Sequence, residues 1–236
     1  MKSCIFLICL VVLGVSLFAR DGYRRVGEIA PEVLQEPTQT PVSHSEVVRF
    51  TRGSFGVEIT PVARYEISGL IVGRLNYSYF ARSDGDKIGP VDVSMIWGAN
   101  VANGVYRTDK FSNDMRAGIV ESAFHSRFNR QQHSNNHLIT RSRKLYGKAC
   151  SLRVGDQVTI RGSLVNTKMW QKGREREWVG NWNSSTIRTD DGCEVIDVQE
   201  IEILRRGHPV WNALFFFSSW GLVGSTLWGL FAFFRP

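Results

Sequence analysis

The chain carries a long uncharged apolar run at each end, and between these runs apolar and polar residues alternate in short stretches. The first run extends from Ser3 to Ala19 and follows the positive start Met1–Lys2, which is the pattern of a secretory signal sequence or an N-terminal anchor. Its 17 residues just reach the length of a membrane span. Cleavage after Ala19 would leave Leu17 at a position that favours small residues, so we interpret residues 1–19 as an uncleaved signal anchor or transmembrane helix.

The second run, Val210 to Phe234, contains 25 residues without a charge. Trp211 and Trp228 suit the two membrane–water interfaces, and the run predicts a transmembrane helix within residues 208–236. Small residues four positions apart suit close packing of helices, so we expect self-association through this helix. These residues are Gly221, Ser225 and Gly229.

Residues 20–48 lack periodic apolar positions and carry Pro31, Pro37 and Pro41 among polar side chains. This composition predicts a linker. Residues 49–207 remain, and they are enough for one domain with a core of its own.

The pattern of the domain favours strands. Val91, Val93 and Met95 alternate with Asp92 and Ser94, which predicts a strand with one apolar face. The clearest strand lies in Leu152–Val165, where Gly155–Asp156 makes a tight turn and Val158, Ile160 and Leu164 then point one way. Further runs with strand character are Tyr65–Gly73, Trp178–Trp182 and Glu194–Leu204.

Two segments depart from simple alternation. In the last strand the apolar parity changes between Val198 and Ile201, which predicts a β-bulge at Gln199–Glu200. Asn113 to Phe128 has the spacing of a helix, with Met115 and Ile119 among the residues on one side, although Gly118 favours a strand instead.

Short strands with glycine at their bends predict a mainly β fold, a small OB-like barrel with at most one or two helices and flanking transmembrane helices. The stretch Val154–Val165 resembles the turn-then-strand element of OB-fold barrels. Tyr65–Gly73, in which Gly69 and Gly73 mark a bend or a close approach, resembles their long, coiled first strand.

The charge adds a candidate binding surface. The formal net charge is +7, and no Asp or Glu occurs from Ser122 to Gly155. A basic face with aromatic residues suits an anionic ligand, which would be a lipid headgroup, an oligosaccharide or single-stranded nucleic acid. The candidate binding residues are Arg141, Arg143, Lys144, Lys148, Arg161 and Trp170.

His133 and His137 stand four residues apart, a spacing that on a helix would let both imidazoles bind one zinc ion. His125, Asp190, Asp191 or Cys193 would supply a third ligand. The residues between the two histidines, Ser134–Asn136, favour turns instead, and no glutamate supplies a base. The alternative is a structural loop in which Asn135 and His137 make hydrogen bonds. Gly155 and Asp156 are likewise assigned a structural role, in the tight turn before the strand.

The cysteines and serines leave two further alternatives open. Cys150 and Cys193 are the two cysteines outside the apolar ends, so they either form one disulfide or are small buried residues. Cys193 has acidic neighbours that disfavour a reactive thiolate, and Ser184–Ser185 could imitate a Ser–His pair with His137. Alternatively, these residues belong to a β-hairpin with its turn at Asp190–Gly192 and have no catalytic role.

Four blocks in order carry a second resemblance: PVDVSMIWG, SNNHLI, LRVGDQVTIRGSLV and WNSSTIRTDDGCEV. They resemble blocks of a family of bacterial membrane-anchored envelope proteins, over roughly Tyr65 to Ile203. The resemblance implies an envelope-associated domain and carries no activity across. His137 matches the family's histidine, whereas Thr140–Arg141 stand where the family has Pro-Ala, which weakens the metal pair.

We therefore expect a bacterial inner-membrane protein without catalytic activity and without a cofactor, which binds or assembles envelope components through protein, lipid or glycan contacts. The arginines beside the spans favour a cytoplasmic domain, but the export-like start and the cysteine pair favour the periplasm, where we place it. The alternatives are a zinc-dependent hydrolase using His133 and His137 and a single-stranded nucleic-acid-binding domain. A periplasmic domain argues against nucleic acid as a partner.

Overall fold

The computed structural model describes residues 2–43, 46–78, 88–114, 117–174, 178–187 and 193–233. The helices are α1 (Lys2–Ala19), α2 (Gly98–Ala102), α3 (Arg143–Cys150) and α4 (Pro209–Phe233). The strands are β1 (Thr38–Pro41), β2 (Val48–Arg52), β3 (Phe55–Asn76), β4 (Val91–Ile96), β5 (Lys110–Asp114), β6 (Ala117–Glu121), β7 (His133–Ile139), β8 (Gln157–Gln171), β9 (Trp178–Asn183) and β10 (Glu194–Arg205). The predicted turn at residues 190–192 lies outside the described residues.

Eight strands form one mixed sheet, which confirms the mainly β prediction. The neighbours run β1, β3, β4, β7, β10, β8 and β9, while β2 pairs with β3. Strand β8 also pairs with β3 along most of its length, and β7 and β10 pair in parallel. Strands β5 and β6 form a separate hairpin.

Strand β3 bends where the sequence predicts a bend or a close approach. At Gly69 a Cβ atom would lie 2.9 Å from the Cε of Met95, and at Gly73 it would collide with the side-chain oxygen of Asn113. The pairing of β3 with β4 shifts between Ile71 and Gly73. Both glycines therefore let neighbouring chain segments approach closely, as the sequence indicates.

The core lies between the inner faces of β3, β4, β7, β8 and β10 and has the predicted strand phases. Val91, Val93 and Met95 of β4 are fully buried in one cluster. Val158, Ile160 and Leu164 of β8 lie in the same cluster, together with Ile196 and Val198 of β10. The register of β10 on β8 shifts between Val198 and Glu200, which confirms the predicted bulge.

Of the two alternatives for Asn113–Phe128, the structure has the strand and not the helix, because this segment contains the end of β5, all of β6 and a loop. Met115 lies outside the described residues. At Gly118 a Cβ atom would collide with the Oγ of Ser94 and lie 2.9 Å from the His133 ring, so the hairpin packs directly against β4 and β7. Glycine is therefore needed for this contact, and tertiary packing overrides the helical spacing.

Helix α3 is absent from the sequence prediction. Ser142 precedes it and accepts a hydrogen bond from the Leu145 amide at 3.3 Å, as an N-cap residue does. Only Ala149 of the helix is fully buried, so the eight-residue segment lacks the apolar stripe that reveals longer helices.

Residues 26–43, part of the expected linker, pack on the domain. Val26, Ala30 and Val33 are buried, and β1 pairs with β3. The Gln157 side chain accepts a hydrogen bond from the Ala30 amide at 2.7 Å and donates one to the Glu28 carbonyl at 2.9 Å. The segment follows the domain surface without regular periodicity. Its buried apolar residues, set among prolines, therefore form no spacing that predicts an element.

Within the described residues, Pro209–Phe231 is the one helix long and apolar enough to cross a membrane. The shorter apolar helix α1 packs along it. At Gly221 a Cβ atom would meet the Cys9 thiol at 2.5 Å, and the Arg20 guanidinium lies 3.6 Å from the centre of the Phe215 ring. Gly221, one of the small residues predicted to serve self-association, therefore packs against another helix of the same chain. At Gly229 nothing lies within 4 Å, and self-association there stays a prediction.

The predicted Gly155–Asp156 turn joins the domain to α4. Gly155 has a φ of 93°, a conformation that glycine adopts without strain. The fully buried Asp156 carboxylate accepts hydrogen bonds from the amides of Arg153 and Gly207, both at 3.0 Å, and from the Arg206 guanidinium at 2.8 Å. One carboxylate therefore binds the loop before β8 to the segment that enters α4.

We expect Gly162→Ala to lower the free energy of unfolding by about 1–3 kcal/mol, the usual cost of overpacking. The added Cβ would collide with the Asp197 carbonyl beside the β10 bulge. The matched control is Gly147→Ala in α3, where the new Cβ meets nothing within 4 Å. It should stabilise the helix by up to about 1 kcal/mol. Urea unfolding of the detergent-solubilised full chain checks both, and equal midpoints would contradict the packing at Gly162.

Candidate functional site

Three strands bring polar side chains together on the face of the sheet opposite the main core. Asp92 of β4 pairs with His137 of β7, and His137 pairs with Val195 of β10. Successive residues of a strand point to opposite faces, so the neighbours Val91, Val93 and Leu138 enter the core while Asp92 and His137 point outward. Cys193 comes two residues before Val195 and has the same parity.

His137 and Asp92 form a buried ion pair. The Nδ1 of His137 lies 2.7 Å from the Oδ1 of Asp92, and the Tyr77 hydroxyl donates a hydrogen bond to the other carboxylate oxygen at 2.8 Å. Asp92 is 0% exposed and His137 6%. Burial acts to lower the pKa of His137, but Asp92 and Cys193 outweigh it and raise that pKa to about 9. The imidazole is therefore charged at neutral pH.

Cys193 completes the cluster. Its thiol lies beside the His137 imidazole and helps to raise the pKa of that group. The Asn135 amide donates to Sγ at 3.7 Å, and Asn113 of the β5–β6 hairpin donates to the Asn135 side-chain oxygen at 2.7 Å. The Trp182 ring of β9 lies 5.5 Å from the imidazole ring. Asp92, His137, Cys193, Asn135 and Asn113 thus connect β4, β7, the residue preceding β10 and the hairpin.

In catalytic sites with the order carboxylate, imidazole and thiol, the carboxylate orients the imidazole, and the imidazole is the base that activates the nucleophilic thiol. His137 is charged and 6% exposed, however, so it offers neither a free base nor open access to a substrate. The arrangement is better suited to fixing strands, since a buried polar cluster that spans several strands favours one packing. Asn135 and His137 lie on a strand and not in the predicted loop, and their structural hydrogen-bonding role stays a prediction.

His133 lies in different surroundings. The rings of Phe111 and Phe128 are 6.3 and 5.9 Å from its ring, and its Nε2 is buried without a hydrogen-bond partner among the described residues. Burial, with Arg130 as the second cause, lowers the pKa of His133 to about 4. Its imidazole is neutral at pH 7.

The strand removes the geometric basis of the predicted zinc site. Residues four apart on a strand are separated by roughly 13 Å, too far for both imidazoles to bind one ion. His125 has a φ of 63°, and its ring lies 4.1 Å from the ring of the exposed Phe124. Over the described ranges, no group of three His, Cys, Asp or Glu residues is placed to hold a metal.

The predicted disulfide is not formed, because Cys150 and Cys193 are both free thiols. Cys150 ends α3, and its carbonyl accepts hydrogen bonds from Arg74 at 2.8 Å and Asn76 at 3.4 Å. Burial raises the pKa of the Cys150 thiol. Cys193 lies instead beside His137 on the outer side of the sheet.

Part of the predicted basic set gathers around α3. Arg143 and Lys144 are exposed, and Arg141 pairs with Asp197 at 3.4 Å. The Arg52 guanidinium, which the sequence analysis missed, lies 4.9 Å from the centre of the Tyr146 ring on this helix. We call this surface the α3 basic face. Its residues are Arg52, Arg141, Arg143, Lys144 and Lys148.

Arg161 and Trp170 do not belong to this face. The Arg161 guanidinium lies among Glu66, Glu200 and Glu202 at 3.0–3.3 Å, and hydrogen bonds to Glu66 and Glu202 raise its pKa. The Trp170 ring lies over Gly56, where a Cβ atom would collide with it. Both residues therefore support the sheet, and Arg161 is surrounded by opposite charge.

Asp92 is the residue that sequence reasoning could have found, because an aspartate inside a buried apolar strand needs a partner. Tyr77 and Trp182 are brought to the cluster around Asp92 only by the folding of the chain. A comparison of the chain with protein-family models, curated proteins and solved structures finds no match.

The ion pair predicts a loss of stability in alkali. The pKa of His137 is about 9 in the folded chain and about 6.5 when unfolded, so its contribution is complete below pH 6.5 and is lost as pH rises through 9. The whole contribution is roughly 3.5 kcal/mol, from about 1.4 kcal/mol per pKa unit. In Asp92→Asn the fall in unfolding free energy between pH 6.5 and 9.5 should shrink, and the part due to Cys193 should remain. Urea unfolding across this range measures it, with Glu121→Gln on the exposed β6 as a control that keeps the wild-type slope.

Proposed function

We propose that this protein is a membrane-anchored binding or assembly protein of the bacterial envelope, without catalytic activity, in the inner membrane with its domain in the periplasm. The observation that carries this proposal is the α3 basic face, which stands on a domain held firmly at the start of an apolar 25-residue helix. The resemblance to envelope proteins over Tyr65–Ile203 points the same way.

We propose further that the domain is an OB-like barrel. The pairings run from β3 through β4, β7, β10 and β8 back to β3, and α3 lies between β7 and β8 in the chain. OB folds bind oligonucleotides and oligosaccharides on the face of their second and third strands. The corresponding face of β4 and β7 is occupied by the His137 cluster and the β5–β6 hairpin, which favours another surface for binding.

The α3 basic face suits a partner with an acidic surface more than lipid headgroups. Strand β10 ends at Arg205, beside the start of α4, and Asp197 precedes it by eight residues. At about 3.3 Å per residue, Asp197 lies roughly 26 Å along the strand from that junction, but the other end of α3 lies beside it, because the Ser151 carbonyl accepts a hydrogen bond from Arg206 at 3.1 Å. Only the end of the face that carries Arg141 extends beyond the Debye length of about 8 Å at physiological ionic strength, and a partner with an acidic surface can contact the whole face.

The rival functions receive less support. Zinc-dependent hydrolysis loses its histidine pair on β7, as described above. Single-stranded nucleic acid would fit the charge of the α3 basic face, and it becomes the better candidate if the domain lies in the cytoplasm.

A photo-crosslinking residue in place of Lys144 should capture a discrete acidic envelope protein in intact cells. The same residue in place of Thr38, which is exposed on β1 opposite Glu66, is the matched control and should not capture it. Adding Arg141→Glu and Arg143→Glu should reduce capture from Lys144 at least tenfold by reversing the charge. Identical products from both positions, or capture unchanged by the reversal, would contradict the proposal.

A reporter inserted after Gly173 tests the side of the membrane. Gly173 lies in the exposed turn between β8 and β9, and a Cβ there meets nothing within 4 Å. We expect a periplasm-only reporter to be active at this position and a cytoplasm-only reporter to be inactive. The reverse result would overturn the periplasmic assignment and favour the nucleic-acid alternative.

A further inference from the structure

A cavity of about 670 Å³ lies between the end of α1 and the start of α4. Its size falls within the range of small-molecule sites, roughly 300–1,000 Å³. Tyr23, Arg24 and Arg25 line one side, and His208 and Trp211 line the other. None of these residues belongs to the α3 basic face.

The two arginines of the cavity differ from the other cations of the junction. Arg153 pairs with Asp21 at 3.2 Å, Arg205 with Glu28 at 3.0 Å and Arg206 with Asp156 at 2.8 Å. Arg24 and Arg25 are exposed, and neither makes an ion pair or hydrogen bond with any residue that the structure describes. Two adjacent guanidinium groups thus remain open to an anion, and guanidinium groups bind phosphate through paired donors.

The rest of the lining is held in place and is partly apolar. The Nε2 of His208 lies 2.8 Å from the Gly22 carbonyl oxygen, which closes the end of α1 onto the start of α4. Gly22 also donates a hydrogen bond to the Val154 carbonyl at 3.3 Å. The rings of Tyr23 and Trp211 supply apolar surface beside the arginines. Such a site accepts a ligand with a charged part and an apolar part.

The position of the cavity identifies that ligand. Trp211 lies two residues after Pro209, where the apolar helix α4 begins. Tryptophan at the end of a spanning helix lies at the level of the lipid headgroups. At this depth the abundant anion with an apolar part is a phospholipid.

We infer that this cavity binds the headgroup of an anionic phospholipid, with Arg24 and Arg25 on its phosphate and Trp211 beside the start of its acyl chains. The site is independent of the partner proposed for the α3 basic face. It requires that α4 enters a membrane.

The test uses the detergent-purified full chain titrated with dioctanoyl phosphatidylglycerol, with dioctanoyl phosphatidylcholine and inorganic phosphate as separate probes. Binding is followed by the thermal unfolding midpoint and by native mass spectrometry. We expect phosphatidylglycerol to bind and raise the midpoint, and the other two probes to have little effect. The double variant Arg24→Gln/Arg25→Gln should bind phosphatidylglycerol at least tenfold more weakly.

The matched control, Arg143→Gln/Lys144→Gln, removes two cations of the α3 basic face and should leave lipid binding unchanged. If this control variant no longer bound a protein partner, the result would concern the proposed function and not the lipid site. Equal binding of phosphatidylcholine, or full binding by the Arg24/Arg25 variant, would overturn the site. An equal response to inorganic phosphate would show a free-phosphate site and overturn the lipid assignment.

Discussion

Strand β3 pairs with four other strands along its 22 residues, and the rest of the domain depends on this constraint. Strand β8 lies along one edge from Phe55 to Leu70, and β2, β1 and β4 follow one another along the other edge. A strand of this length cannot stay straight and follow two twisted neighbours. Gly69, Gly73 and the register shift between Pro61 and Ala63 supply the bends that keep the pairing continuous.

The sequence is informative where a strand has one face in the core. The alternation in β4 and β8 and the parity change near Gln199 each report which side chains enter the core, and the fold keeps these phases. It is misleading where a segment packs through glycine or short apolar contacts. Gly118 places β6 on β4 and β7, and Val33 buries part of the expected linker, but neither contact has a periodic signature.

The candidate site shows the same division. The sequence offers a hydrogen-bonding role for His137 as one alternative, yet its partners come from β4 and from the segment before β10, which only the pairing of three strands brings together. His133 and His137 share a strand, but one lies beside two phenylalanines and Arg130 and the other beside Asp92. Burial therefore dominates at His133, and the carboxylate dominates at His137. No spacing rule could have separated them.

The buried Asp156 carboxylate has a mechanical consequence. It holds the loop before β8 with one hydrogen bond and the entry to α4 with two, so it ties the start of the helix to the domain. A spanning helix tilts when the bilayer becomes thinner than its apolar length. In this chain such a tilt would be passed to β8 and β10 as a rotation of the whole domain, and the outer face of the protein would turn with the thickness of its membrane.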